Sequence, residues 1–228
     1  MTPLIARRWL CLLMMLCLLP GAAQAGSAAD LQAELTGIFG DALSLRDYDA
    51  AYQDDSYLRL YLHGGGTTPL DYTIRLDSGD CFCLPLRYGE LLRAGWISDV
   101  IWQGAFPSHG AGSAVHTHPG GGTIAVSVVN PTNRELDAGD LWINCMSLGG
   151  AYTADFDALG VHPGDDVSAL IAAWGMPYHI DYYRDGDHTQ LTMDYQGSDG
   201  SVSFLLDPVS CCVSAVTYGI AYTSLPAQ

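Results

Sequence analysis

The chain contains no lysine, and its positive charge comes from nine arginines alone. Against these stand 25 aspartates and glutamates, so the formal net charge of the 228 residues is −16 at pH 7. Nucleic acids and anionic membrane surfaces are bound through clusters of lysine and arginine, which neutralise their phosphate groups. The composition therefore excludes nucleic acid as a partner and argues against binding to an anionic membrane.

The sequence also lacks the short motifs that mark common enzymes and cofactor sites. It has no G-x-S-x-G element of a serine hydrolase and no C-x-x-C pair of a redox or zinc site. The run Gly120–Gly122 is not followed by the lysine and hydroxyl residue of a phosphate-binding loop. Neighbouring aspartates such as Asp185 and Asp187 fall in predicted turns, where local hydrogen bonds favour aspartate. These absences predict a protein that is not an enzyme and that uses no cofactor.

The N-terminus has the pattern of a secretory signal peptide. Arg7 and Arg8 precede the uninterrupted apolar run Trp9–Leu19, and small residues around Ala25 and Gly26 provide a cleavage site. The run is shorter than the roughly 20 apolar residues that a membrane-spanning helix needs. We therefore predict a secreted, extracytoplasmic protein, cleaved between Ala25 and Gly26, that meets the membrane only transiently through this leader. An uncleaved membrane anchor is the alternative.

Five cysteines follow the leader, and an exported chain meets oxidising conditions in which disulfide bonds persist. Because five is an odd number, at least one thiol of a monomer has no partner. The sequence predicts one or two structural disulfide bonds, or buried thiols, and leaves the connectivity open. The five residues are Cys81, Cys83, Cys145, Cys211 and Cys212.

The C-terminal part shows the clearest secondary-structure pattern. Apolar residues recur with helical spacing from Val167 to Trp174, after Asp165 or Asp166 as the residue that caps the helix. Four strand-like runs, in which apolar and polar residues alternate, come next and are separated by turns. This order predicts a short helix packed on an antiparallel sheet. The runs are 178–184, 191–195, 201–207 and 212–222.

The N-terminal part predicts a helix near Asp30, several strand-like runs between residues 57 and 146, and a short helix at 87–94. Residues 104–122 form the longest stretch without periodicity, which predicts an exposed or functional loop. The fold class we predict is α+β, with antiparallel sheets that each carry a short helix on one face. The predicted division is a signal peptide at 1–25, an N-terminal lobe at 26–157 and a C-terminal helix-plus-sheet domain at 158–228.

A series of motifs runs through the C-terminal domain: Gly160-x-x-x-Gly164-Asp165-Asp166-Val167, Trp174-Gly175-Met176-Pro177, Tyr195, and Val202-x-Phe204. This series resembles the BamE/SmpA-like superfamily. The resemblance implies helices packed on a small antiparallel sheet, as in outer-membrane assembly lipoproteins and, in tandem, in a secreted β-lactamase inhibitor protein. It also implies a non-enzymatic domain that docks on another protein through its sheet or helix face.

A second series lies upstream. Leu84-Pro85, Leu91 and Gly95-Trp96 precede a strand that ends in asparagine and the G-x-P helix of the C-terminal domain. This order is similar to that of uncharacterised secreted or lipoprotein-type proteins of Gram-positive gut bacteria. The resemblance implies an architecture and no activity.

The candidate site with the most specific spacing lies in the predicted loop. His116 and His118 flank one threonine, and side chains at i and i+2 of an extended segment point the same way, so both can share one ion. The pattern resembles the zinc-binding JAMM metallopeptidases, in which two histidines and an aspartate hold the metal. Here Asn130 follows downstream in place of an acidic ligand, and Glu90 is the upstream glutamate near enough to act as the base.

Two other interpretations of these histidines stay open. His109, His116 and His118 would form a non-catalytic metal site, or they would be solvated side chains of a polar loop. Mass spectrometry of the metal content, with His116→Ala as the control, separates these interpretations.

These patterns lead to one functional prediction and two alternatives. We predict an exported, non-enzymatic protein-binding or scaffolding module of the bacterial cell exterior, whose partner is an extracellular or envelope protein. The alternatives are a metal-dependent hydrolase or metal-binding protein that uses the His116/His118 loop, and a purely structural secreted protein. The oligomeric state is open.

Tyrosines would give the C-terminal sheet an aromatic exposed face, or would lie in part in the core. These are Tyr178, Tyr182, Tyr183, Tyr195, Tyr218 and Tyr222.

Overall fold

The computed structural model describes residues 28–64, 70–100, 102 and 105–226. The predicted signal peptide, with its cleavage site between Ala25 and Gly26, lies outside these residues. Three α-helices are present in the described part: α1 (Ala28–Phe39), α2 (Tyr88–Arg93) and α3 (Val167–Trp174). None of these described helices is long and apolar enough to cross a membrane. Single 3-10 turns lie at Leu45–Asp47, Ala138–Asp140 and Tyr222–Ser224.

The described residues are dominated by short to medium strands, the longest of which has nine residues. In chain order they are β1 (Tyr48–Gln53), β2 (Tyr57–Leu62), β3 (Thr73–Leu76), β4 (Cys81–Cys83), β5 (Leu86–Arg87), β6 (Ile97–Ser98), β7 (Ala105–Phe106), β8 (Ala111–Thr117), β9 (Thr123–Val129), β10 (Leu136–Asp137), β11 (Trp142–Gly149), β12 (Phe156–Asp157), β13 (His179–Asp185), β14 (His188–Gln196), β15 (Gly200–Leu206) and β16 (Val213–Ile220).

One antiparallel sheet of 11 strands organises the structure. Its order is β1-β2-β13-β14-β15-β16-β11-β9-β8-β6, and β5 pairs with β11 beside this path. Strands from before and after residue 158 therefore lie side by side, because β2 pairs with β13 and β11 pairs with β16. Two small sheets accompany it, β12-β3-β4 and β10-β7.

The predicted α+β fold class, with separate sheets that each carry a helix, is wrong. Strands make up 46% of the structure and helices 17%. The reason is that hydrogen bonding continues from the C-terminal meander into the N-terminal strands on both of its sides. Alternating polarity within one strand predicts which face is buried but not which distant strand lies next to it.

The local prediction for the helix before the C-terminal strands is confirmed. Helix α3 begins at Val167, and the side chain of Asp166 caps it by accepting a 2.8 Å hydrogen bond from the backbone N–H of Ala169. The helix ends at Trp174, whose ring lies 5.4 Å from Tyr195 and 5.2 Å from Phe204, measured between ring centroids. The helix therefore covers part of the apolar side of the sheet, as predicted.

The large sheet has one buried face and one open face. The buried face consists of alternate apolar side chains, such as Ile180, Met193, Phe204 and Val216 at successive paired positions. The apolar residues of α1, α2 and α3 and of the small β12-β3-β4 sheet belong to the same buried core. On the opposite face, side chains at the alternate positions are only partly buried and are mostly polar. This open face carries the chemistry described below.

The structure also decides the predictions for the loop and for the tyrosines. The supposed irregular stretch 104–122 contains strand β8, which pairs along its whole length with β9. Of the two interpretations of the C-terminal tyrosines, the one that places them in part in the core is confirmed, because Tyr182, Tyr195 and Tyr218 are buried. The five cysteines after the leader all have free thiols, with Cys81 and Cys83 exposed.

Candidate functional site on the open sheet face

The structure places His116 inside the molecule rather than in a loop. It lies on β8, its exposed fraction is 0%, and its side chain points to the buried face of the sheet, as Ala114 does. Its Nε2 atom lies 2.9 Å from the hydroxyl of Tyr88, and the two side chains form a hydrogen bond. Burial holds the pKa of His116 below its usual value, because a buried imidazolium loses its hydration.

The other two predicted metal ligands have separate surroundings. The ring of His118 lies 5.2 Å from the ring of Trp96, and its Nδ1 atom accepts a 3.0 Å hydrogen bond from the backbone N–H of Gly120. His109 is held between Tyr222 and Asn133, with one ring nitrogen bonded to each.

Among the described residues, the only group of three or more possible ligands whose donor atoms lie within 4.8 Å of one another contains none of His109, His116 and His118. The structure does not bring these three side chains together, and metal binding by any of them stays a prediction.

The group that does converge lies on the open face, on the hairpin β13–β14. The Nε2 atom of His179 is 3.2 Å from Oδ2 of Asp194 and 3.8 Å from Oδ2 of Asp181. His179 and Asp194 are directly paired residues of the two strands, and Asp181 is two positions further along β13. Antiparallel pairing and the period of two therefore place all three side chains on one face.

Sequence reasoning missed this group, although a signal for it was present. The turn at residues 185–187 was predicted, and in the structure Asp185 pairs with His188 next to it. When the pairing is followed from Asp185 and His188 away from the turn, one residue on each strand at a time, His179 lies opposite Asp194. The alternation of the following residues then puts Asp181 on the same face.

Asp181 already has strong partners. Both of its carboxylate oxygens accept hydrogen bonds from Arg59, and Oδ1 also accepts one from the hydroxyl of Tyr57 at 2.8 Å. Burial by itself would raise the pKa of Asp181, but these hydrogen bonds and the charges of Arg59 and His179 outweigh it and hold the pKa below its usual value. Burial and the bond to Asp181 also raise the pKa of Tyr57 to about 12.

Asp194 is similarly engaged, since the hydroxyl of Ser203 donates to its Oδ1 atom and His179 lies against its Oδ2 atom. We call Arg59, His179, Asp181, Asp194 and Ser203 the polar cluster. It sets two carboxylates beside one guanidinium and one imidazole. With His179 protonated its charges cancel, and with His179 neutral one negative charge remains. The cluster is therefore a preformed set of hydrogen-bonding groups, and its two carboxylates are not free of partners.

The polar cluster stands at one end of a long depression. A hollow of about 480 Å³ is lined by Asp181, Asp194 and Ser203 together with residues of β11, β14, β15 and β16. A second hollow of about 400 Å³ continues over β8, β9 and β11. Ser147 and Tyr152 line both hollows. We call the two hollows together the open-face trough.

The floor of the open-face trough presents hydroxyl groups in register across the strands. Ser203 pairs with Thr217, and Thr217 pairs with Ser147, whose hydroxyl oxygen is 2.9 Å from that of Thr217. Further along, the hydroxyl oxygens of Ser113 and Ser127 are 2.8 Å apart on paired residues. Alternate positions of neighbouring strands thus form a ladder of short polar side chains.

Tyr152 stands in the middle of the open-face trough because of a tight turn after β11. Gly149 and Gly150 both have positive φ, at 74° and 60°, and the N–H of Tyr152 donates to the carbonyl of Gly149 at 2.9 Å. A Cβ atom at Gly149 would lie 2.4 Å from the carbonyl oxygen of Ser214, so the close approach requires glycine there. The glycine pair therefore positions the tyrosine.

Comparison with known proteins does not add a family to this description. A scan against protein-family models, a search of curated proteins and a search of solved structures each returned no significant match. The resemblances to the BamE/SmpA-like superfamily and to secreted or lipoprotein-type proteins remain predictions from motifs, and the function has to be argued from the geometry of the open sheet face.

Proposed function

We propose that the protein is an exported, non-enzymatic binding module of the cell exterior that holds its partner in the open-face trough. The observation that carries the proposal is the trough itself, in which polar side chains from seven strands or adjoining loops face two neighbouring hollows that share Ser147 and Tyr152. A sheet face that served only to be solvated would need neither the turn that positions Tyr152 nor the fixed pair of Arg59 and Asp181.

The state of the ionisable groups supports binding rather than catalysis. The pKa of Asp181 is lowered, so this carboxylate is ionised at neutral pH and is not poised to donate a proton. Asp194 contacts both Ser203 and His179 and lies between them. The histidine therefore does not contact the serine hydroxyl, as the general base of a serine nucleophile would. These contacts suit recognition by hydrogen bonding.

Site-specific photo-crosslinking tests the proposal. The photoreactive residue p-benzoylphenylalanine replaces Gln190, an exposed residue at the rim of the open-face trough, in the mature chain. The matched control carries it at Val209, which is 94% exposed at the turn between β15 and β16. Both proteins are irradiated with cell-envelope and culture-supernatant extracts. Adducts that form at Gln190 and are absent at Val209 support the proposal, whereas equal adducts at both positions, or none at Gln190, contradict it.

A further inference from the structure

We infer that the ligand of the open-face trough is an uncharged oligosaccharide. The inference rests on the proposed function, because it names the chemical class that the same hollow would bind. Three properties of the trough carry it: the charge state of its lining, the spacing of its hydrogen-bonding groups, and its length on either side of an aromatic ring.

The charges of the lining disfavour an anionic ligand. Within the described part of the chain, neither hollow has an arginine in its lining, and the sequence has no lysine. The nearby cation Arg59 is bonded to both oxygens of Asp181. The formal net charge of −16 adds a general repulsion for phosphorylated, sulfated or carboxylated molecules.

A cationic ligand would be attracted by the net negative charge of the chain, but it would find few open carboxylate oxygens in the lining. The carboxylate of Asp181 is neutralised by Arg59, and that of Asp194 is held by Ser203 and His179. In the second hollow, Asp99 accepts a 3.0 Å hydrogen bond from the backbone N–H of Val115. The described lining residues therefore offer no pair of carboxylates without partners that could bind an ammonium or guanidinium group. A carboxylate has about four lone-pair positions, however, so each still accepts a bond from a neutral hydroxyl.

The remaining polar groups of the lining are those that recognise hydroxyls, and they lie among apolar side chains such as Val115, Ala125 and Leu205. Serine and threonine hydroxyls both donate and accept, and Gln190 adds an amide that does the same. These groups lie on neighbouring strands, so they repeat at about 4.8 Å across the sheet. The row of hydroxyls on β15, β16 and β11 is fixed by the pairing of the strands and ends at Ala125, which pairs with Ser147. This row complements a ligand that itself carries several hydroxyls.

The dimensions favour a chain of several units over one compact molecule. Each hollow lies within the range of roughly 300–1,000 Å³ found for small-molecule sites. The two hollows meet at Tyr152, which offers a flat apolar surface with a polar hydroxyl at its end. One face of a sugar ring consists of C–H groups, and such a face packs on an aromatic ring while the ring hydroxyls reach the strands. An oligosaccharide lying across Tyr152 would fill both hollows.

A glycan array followed by titration calorimetry tests this inference. The array carries neutral glucans, xylans, mannans and chitooligosaccharides beside sialylated, sulfated and uronic-acid glycans. We expect binding to a neutral class, and the best neutral oligosaccharide is then titrated into the mature protein and its variants. Tyr152→Ala should weaken binding about tenfold or more, and Thr217→Val, which removes one hydroxyl, about three- to tenfold. The matched control Thr189→Val, outside the lining of both hollows, should stay within about twofold of the unaltered protein.

The outcomes that overturn the inference differ from those that overturn the proposed function. An array on which only charged glycans bind, or none at all, overturns the inference, even where photo-crosslinking at Gln190 captures a protein and so supports the binding module. Binding of a neutral glycan that Tyr152→Ala and Thr217→Val leave unchanged also overturns the inference, because the glycan then sits outside the open-face trough. The proposed function is overturned only by the photo-crosslinking result. Thermal unfolding of each variant shows that a lost affinity is not a lost fold.

Discussion

The hydroxyl of Tyr88 and the Nε2 atom of His116 lie 2.9 Å apart within the core, next to the ring of Trp102. Burial keeps the pKa of His116 below the value of 6.5 that an exposed histidine has. Below pH 6.5 the unfolded chain therefore binds protons more readily than the folded one. In this range the free energy of unfolding should decrease as the pH is lowered. The stability is present in full above the unfolded pKa and is lost as the pH drops.

Urea denaturation between pH 7.5 and 5 measures this effect. We expect His116→Gln, which keeps a hydrogen-bonding group near Tyr88, to be less stable at pH 7.5 but to lose less stability on acidification than the unaltered protein. His188→Gln changes an exposed histidine and serves as the control, whose pH dependence should follow that of the unaltered protein. Identical slopes in all three proteins would show that His116 does not couple folding to pH.

The bond between Arg59 and Asp181 should contribute measurably to stability, because both side chains are partly shielded from water. The exposed fractions of their side chains are 34% and 19%, whereas the pair Arg75 and Asp157 is looser, at 3.8 Å, and Arg75 is 57% exposed. We expect Arg59→Met to lower the free energy of unfolding by about 1–2 kcal/mol and Arg75→Met by less than about 0.5 kcal/mol. Equal losses in the two variants, measured by chemical denaturation at pH 7, would contradict this account.

The same pair predicts an acid transition. Because the pKa of Asp181 is lowered in the folded protein, its contribution is present above the unfolded value near 4 and is lost as the pH falls through the folded value. Asp181→Asn should therefore be less stable than the unaltered protein at pH 7, and the two should converge as the pH falls through the lowered pKa of the folded state. A difference that stays constant down to pH 2 would mean that the carboxylate is not stabilised by its charge.

Local elements of this fold were readable from the sequence because their determinants lie within a few residues. The cap at Asp166, the end of α3 after Trp174 and the turn before His188 all depend on neighbours in the chain. The pairing of β2 with β13 joins residues such as Arg59 and Asp181 that are far apart in sequence, and no local pattern specifies it. Of the polar cluster only Arg59 depends on that pairing, because the other members lie on the consecutive strands β13, β14 and β15. The open-face trough depends on a second distant pairing, that of β11 with β16.

Strand β8 was missed for a different physical reason. Its inward-facing residues include Ala114 and His116, which give little apolar contrast to the small and polar residues between them. Histidine in such a setting is typical of a loop or of a metal ligand, whereas here one of its two ring nitrogens, Nε2, is bonded to Tyr88 inside the core. The strand is specified chiefly by its partner β9, whose alternate residues from Ile124 to Val128 are strongly apolar.

The close approach of Gly149 to the neighbouring strand predicts a large effect of a single methyl group. Gly149 and Gly160 both have positive φ, so alanine at either position costs about 1–2 kcal/mol in backbone strain. A Cβ at Gly149 would additionally lie 2.4 Å from Ser214 O, whereas nothing lies within 4 Å of one at Gly160. Gly149→Ala should therefore lose about 1–3 kcal/mol more than Gly160→Ala in chemical denaturation. Equal losses would show that the turn adjusts without cost.

The cysteines should differ in reactivity because their burial differs. Burial raises the pKa of the Cys145 thiol, only partly offset by its hydrogen bond with Ser147, and a protonated, shielded thiol is a poor nucleophile. Cys81 is exposed on β4. In the native protein, iodoacetamide labelling followed by peptide mass spectrometry should modify Cys81 many times faster than Cys145, and both equally in urea. Fast native labelling of Cys145 would contradict its burial, and mapping without reductant reports any disulfide bond that the purified protein contains.

Metal titration distinguishes the remaining alternatives for the histidines. We expect native mass spectrometry of the mature protein with one equivalent of Zn²⁺ to show no stoichiometric complex, because His116 is buried against Tyr88 and the carboxylates of the polar cluster have their own partners. His116→Ala and His179→Ala are the paired variants. One bound ion that is lost only in His116→Ala would instead support the metal-binding alternative on β8. A bound ion that is lost only in His179→Ala would mean that Zn²⁺ displaces Arg59 from Asp181. Zinc binds histidine nitrogen and carboxylate oxygen directly, at a distance of about 2 Å from each ligand atom.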